Sequence, residues 1–253
     1  MSQDRSTAPP FGGFLVRVVT ATFLGAATLA AIIWGRSLGL GVLVSLIAML
    51  GVREFYSITR REHRLPNEVF GVLATGTMPI ATALWGRLGL MSVVTGLVVL
   101  ALLWHVAFRQ VRTADTATTV FGAIYLGFLL SHFVLIRQLD SGTELALATI
   151  VSVWANDVFA YLVGSTVGRH KKAPRVSPNK SWEGFLAGTA FTVLVWTGVF
   201  FLIDSPVSLA THILVGVAVS FAAVVGDLAE SRLKREAGIK DSGRLLPGHG
   251  GFL

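Results

Sequence analysis

The sequence has no cysteine among its 253 residues, which excludes disulfides, thiolate zinc sites, iron–sulfur clusters and cysteine nucleophiles. Charge is also scarce. Asp, Glu, Lys and Arg make up 14% of the chain, against about 25% in an ordinary soluble domain. Acidic residues are outnumbered, 14 to 21 Lys and Arg, for a formal net charge of +7. In a soluble protein that excess would suggest nucleic acid, but in a membrane protein it reports topology and contact with anionic headgroups. Nucleic acid is therefore not an expected partner. What the chain does have is apolar length: 53% of it is hydrophobic and its mean hydropathy is +0.69, the composition of a polytopic membrane protein.

A span needs about 20 mostly apolar residues, and eight segments qualify: 14–34, 38–56, 68–85, 88–108, 118–136, 144–164, 182–203 and 208–228. The expected fold is all-α, with about eight transmembrane helices. The first segment exceeds the apolar core of a signal peptide and is read as a span. Short connections carry turn formers, such as Arg64-Leu65-Pro66-Asn67 and Asp204-Ser205-Pro206, so no soluble domain is inserted. Short cytoplasmic loops retain Lys and Arg, and 18 of the 21 fall on one side of this arrangement, leaving Arg36, Arg87 and Arg137 on the other. Both termini are thus expected in the cytoplasm, as in a bacterial inner membrane protein. The chain divides into a tail (1–13), N-terminal helices (14–143), and C-terminal helices with cytoplasmic motifs forming the catalytic region (144–253).

Carboxylates within apolar helices are costly and mark candidate sites. Glu54, Asp157, Glu183 and Asp227 all lie toward the cytoplasmic ends of their segments, where they could share one cavity. For Glu54 the plainer reading is a helix-end carboxylate paired with Arg53 or Arg60. Asp227, Glu230, Ser231 and Lys234 fall at i, i+3, i+4 and i+7 and share a helical face. Carboxylates beside a hydroxyl and an ammonium suit magnesium and a polyphosphate, although a solvated, charged helix end has the same spacing. The loop 169–184 is strongly basic and ends on Ser181, a plausible N-cap whose helix start exposes N–H groups suited to phosphate. Its plainer reading is a positive-inside loop on anionic lipid. Asn179-Lys180-Ser181 matches a glycosylation sequon that a cytoplasmic loop would not use, and the spacing of a Walker loop is absent. His63, His105, His132 and His212 read as structural.

The run Ser231-Arg232-Leu233-Lys234-Arg235, then Lys240-Asp241-Ser242-Gly243, then Pro247-Gly248-His249-Gly250-Gly251 closely resembles the signature of the phosphatidate cytidylyltransferases. Upstream, Trp154-x-x-Asp157, Ser177-Pro178-x-Lys180-Ser181-Trp182-Glu183-Gly184 and Gly226-Asp227-Leu228-x-Glu230-Ser231 look like the family's other motifs in the same order. The likeness is strong from about Val153 onward; before that only the span pattern and Glu54 match. It implies a membrane enzyme that joins CTP and phosphatidic acid to give CDP-diacylglycerol and pyrophosphate, with magnesium and room for a second, monovalent cation as cofactors, in contact with membrane lipid and compatible with a homodimer. By carry-over, Asp227, Lys180, Asp157 and Lys240 would be catalytic, and Asp227 with Glu230 would hold the metal. Ser177, Ser181, Glu230, Lys234, Arg235, Asp241, His249 and Gly250 would bind substrate. Ser181 stands where the family has Thr, which keeps the hydroxyl. The family pattern continues with D-R-x-D, whereas this sequence stops at Leu253; a metal site lacking that aspartate is expected to turn over poorly.

Two other readings use the same residues. A CTP-dependent polyprenol kinase would explain Asp227 and the lysines but not the Pro-Gly-His-Gly-Gly run. An ion-coupled transporter would place polar residues near mid-membrane on several spans, whereas here they gather at one end. The topology is directly testable because no native cysteine competes for label. A cysteine at Ser208 should react with an impermeant maleimide from outside and one at Ser177 should not; the reverse pattern would overturn the orientation.

Overall fold

The computed structural model describes residues 10–61, 64–173, 177–203, 206–239, 242–243 and 251–252. The helices are α1 (Pro10–Ile33), α2 (Arg36–Arg61), α3 (Glu68–Ala107), α4 (Thr113–Ala123), α5 (Leu129–Arg137), α6 (Gly142–Thr166), α7 (Trp182–Leu202) and α8 (Leu209–Glu236). One π-helical turn, Ile124–Phe128, joins α4 to α5. Among the described residues seven helical stretches are long and apolar enough to cross a membrane, counting α4 to α5 as one. The difference from eight segments lies in α3. At 40 residues it would reach about 60 Å if straight, twice a bilayer core. Gly86 breaks it, with φ 60° and ψ −141°. The chain then doubles back, setting Gly89 against the Ala81 backbone and gathering Leu90 and Leu97 into one cluster with Met78. The third and fourth expected segments are the two arms of this helical hairpin.

The chain forms two compact units, 1–135 with 241–253, and 136–240. In the first, α2 is the most enclosed helix, burying Leu40, Val44, Ala48, Val52, Phe55 and Tyr56 at the 3–4 spacing of one helical face. Small residues let its neighbours approach: Gly41 meets Pro79 and Ala83, and Gly71 lies under the Tyr56 ring. The Tyr56 hydroxyl donates to the Thr119 carbonyl at 2.7 Å. Asp115 closes the start of α4 by accepting the Arg112 N–H and also takes the Leu65 N–H at 2.8 Å, while Asn67 caps α3. The expected turn after α2 is thus tied down by side chains.

The second unit packs α6, α7 and α8 around a polar seam. Asn156 on α6 is 2% exposed; its Oδ1 accepts the Ser220 hydroxyl of α8 at 2.9 Å, and Ser220 in turn bonds Thr189 of α7 at 2.8 Å. Such side-chain bonds hold helices together where the surroundings are as apolar as the side chains. Outward positions, including Leu186, Leu194, Leu214 and Phe221, are exposed apolar residues, as a lipid-facing surface requires. The basic loop before α7 is an exception to an all-helical chain. It forms a short antiparallel hairpin of β1 (Lys171–Ala173) and β2 (Ser177–Ser181).

Gly188 makes the seam possible, since a Cβ there would stand 2.6 Å from Asn156 Oδ1 and 2.8 Å from the Asn156 carbonyl oxygen. Gly198 on the same helix faces open space. Gly188→Ala should cost about 1–3 kcal/mol, lowering the thermal midpoint in detergent by several degrees. Gly198→Ala should leave it unchanged or slightly higher; equal effects of the two would contradict this packing.

Candidate active site

The hairpin delivers Lys180 through two residue pairs with an irregularity between them. Lys171 pairs with Ser181 and Ala173 with Ser177, and the Trp182 N–H donates to the His170 carbonyl at 2.9 Å. Ser181 is 4% exposed, and its hydroxyl accepts the Gly184 N–H at 3.2 Å. The expected N-cap is therefore present, and the hydroxyl keeps its own proton to donate. A Cβ at Gly168 would fall on the Ser181 side chain, so the α6 end passes close over the cap. Glu183 accepts from the His170 Nδ1 at 2.6 Å and from the His170 N–H at 3.2 Å, fastening the hairpin to the first turn of α7.

With Ser181 turned inward, Lys180 on the alternate side of the strand reaches α8, where its ammonium pairs with Asp227 Oδ2. One turn on, Lys234 donates to Glu230 Oε1 at 2.6 Å. Asp157, which takes a hydrogen bond from the Asn156 side chain, acts electrostatically on Lys180, as does Glu230. Burial pushes the Lys180 ammonium below the usual lysine range, and Asp157 and Glu230 oppose that shift. Lys172 is also lowered, by burial first and by the Lys180 charge second; its Nζ lies 3.8 Å from the Phe185 ring centroid and 5.3 Å from that of Trp182, a cation–π arrangement. Two partly desolvated ammonium groups, one of which is further depressed by the other, form a place where a polyanion would be welcome.

The structure thus brings together Asp157, Lys180, Asp227, Glu230 and Lys234 of the residues expected from sequence. Arg235 is exposed. Ser177 is placed in β2 by its backbone, and Lys240, Asp241, His249 and Gly250 lie outside the described residues. Lys172 belongs to the cluster although sequence marked it only as loop charge; the signal was its company, with Trp182 and Phe185 close behind. Within the first unit, Arg60 pairs with Glu68 at 2.9 Å, and Glu54 accepts the Ser242 hydroxyl and the Phe252 N–H.

A metal was expected on Asp227 and Glu230. Among the described residues no group of three or more His, Asp or Glu could cage an ion. Two carboxylates one turn apart nevertheless suit magnesium, which binds through one or two carboxylates and completes its shell with water and phosphate oxygens.

Residues 15–253 match the profile of the Cytidylyltransferase family. The phosphatidate cytidylyltransferase of Mycobacterium bovis is 30% identical over 88% of this chain and 82% of its own length. That of Bacillus subtilis is 36% identical over 62% of this chain and 59% of its own, and the chloroplastic phosphatidate cytidylyltransferase 4 of Arabidopsis thaliana is 32% identical over 81% and 60%. This multi-pass membrane protein belongs to the cytidylyltransferase family.

Proposed function

We propose that the chain transfers a cytidylyl group from CTP to phosphatidic acid. A phosphate oxygen of the lipid attacks the α-phosphorus of CTP, the new P–O bond gives CDP-diacylglycerol, and the α–β phosphoanhydride bond breaks to release pyrophosphate. The observation that carries this reading is the meeting of Lys180 with Asp227, which joins two separated family motifs in one charged cluster.

Such a reaction demands positioning and charge neutralisation more than covalent help from the protein. Lys180 exchanges the Asp227 carboxylate for a substrate phosphate oxygen, and Lys172 and Lys234 offset the charge of the remaining phosphates. Ser177, Arg235, Lys240, Asp241, His249 and Gly250 are assigned to substrate by their place in the motifs. Asp227 and Glu230 would hold magnesium, which supplies further neutralisation of the departing pyrophosphate. Asp157 keeps a negative counterweight near Lys180, so that the lysine stays available without gripping product. The region 144–253 is the catalytic part in this reading, and its cluster opens to the cytoplasm, where CTP is found.

Asp227→Asn keeps the shape of the side chain and removes the charge. In detergent with CTP, phosphatidate and magnesium, the variant should form CDP-diacylglycerol at least about 100-fold more slowly, with circular dichroism and thermal midpoint close to those of the parent. Near-normal rates would exclude Asp227 from the site.

A further inference from the structure

Glu54 is 5% exposed on α2, and a carboxylate so enclosed is tolerated only where donors meet it. Those donors come from the other end of the sequence. The Ser242 hydroxyl donates to Glu54 Oε2 at 2.8 Å, and the Phe252 N–H donates to the same oxygen at 2.7 Å. Two glycines complete the contact. A Cβ on Gly243 would fall on Oε1 and Cδ of Glu54, and one on Gly251 would fall on Oε2 and the Ser242 hydroxyl. Gly251 also has φ 129°, a conformation that L side chains rarely take. A cavity of about 270 Å³ opens beside the carboxylate, lined by Arg53, Ser57, Arg60 and Glu68 with Ser242 and Gly243. Hydrogen bonds to Glu54 thus tie these two short pieces to α2.

We propose that Glu54 is a positioning residue for the C-terminal motif. It fastens Ser242–Gly243 and Gly251–Phe252, which stand on either side of the Pro247-Gly248-His249-Gly250 run, to the most enclosed helix of their unit. Its effect on turnover rests on the cytidylyltransferase reading; the fastening does not. Because both donors converge on one oxygen, Gln can replace Glu, whereas Ala cannot.

Hydrogen exchange of the full chain in detergent tests the fastening without needing turnover. Glu54→Ala should speed exchange at the Phe252 amide at least about tenfold while the α3 arms keep their protection, and Glu54→Gln should stay within about threefold of the parent. Ser242→Ala should give a smaller increase, and adding it to Glu54→Ala should change nothing further. In steady-state assays Glu54→Ala should raise KM for CTP or phosphatidate about tenfold or more with a smaller change in kcat, and Gln should restore it. Should Glu54→Ala loosen α3 as well, Ser242→Ala decides. Unchanged Phe252 exchange in both Glu54→Ala and Ser242→Ala would overturn the proposal. Absence of CDP-diacylglycerol formation by the parent would overturn the functional reading alone.

Discussion

Charge is expensive beside hydrocarbon unless it is paired, and this chain has few charges to spend. The pairing of Lys180 with Asp227 therefore organises much of the second unit. It requires a strand residue to reach a helix, which requires the hairpin, which is held by Glu183 on His170 and by Ser181 capping α7. Each fastening uses a polar side chain that would be a liability if left alone. The same groups define a cluster of three ammonium groups, Lys172, Lys180 and Lys234, balanced by three carboxylates, Asp157, Asp227 and Glu230, so an entering phosphate exchanges with carboxylates for lysine contacts.

Behind the cluster, small residues permit the polar seam. Gly188 admits Asn156, Asn156 accepts Ser220, and its side chain also reaches Asp157. A contact that packs helices is thus continuous with one that tunes the site. In the first unit the equivalent economy is at Glu54, where one carboxylate satisfies groups 188 and 198 residues away in sequence.

Local signals in the sequence were sufficient for the helices, the Ser181 cap and the shared face of Asp227, Glu230 and Lys234. The turn at Gly86 was legible as a gap between two apolar runs, although the helix continues on both sides of it. The hairpin was not, because a basic stretch with two prolines shows no alternation of apolar and polar residues. Lys172 was hidden for a related reason: its aromatic partners follow the turn it precedes. The partners of Glu54 were beyond any local pattern, since nothing within a helix end reports a hydroxyl and an N–H delivered from the far terminus. Family motifs, by contrast, named Asp157 and Lys180 directly, where their separation along the chain would have hidden their proximity.

The central claim is that Lys180 and Asp227 meet in order to act on substrate, and are more than a clasp between β2 and α8. Exchanging them tests this most directly: Lys180→Asp combined with Asp227→Lys preserves the attraction and inverts the charge that each element presents. Thermal stability in detergent should return to near that of the parent while CDP-diacylglycerol formation stays about 100-fold or more below it. Recovery of turnover together with stability would contradict the account and leave the pair a fastening only.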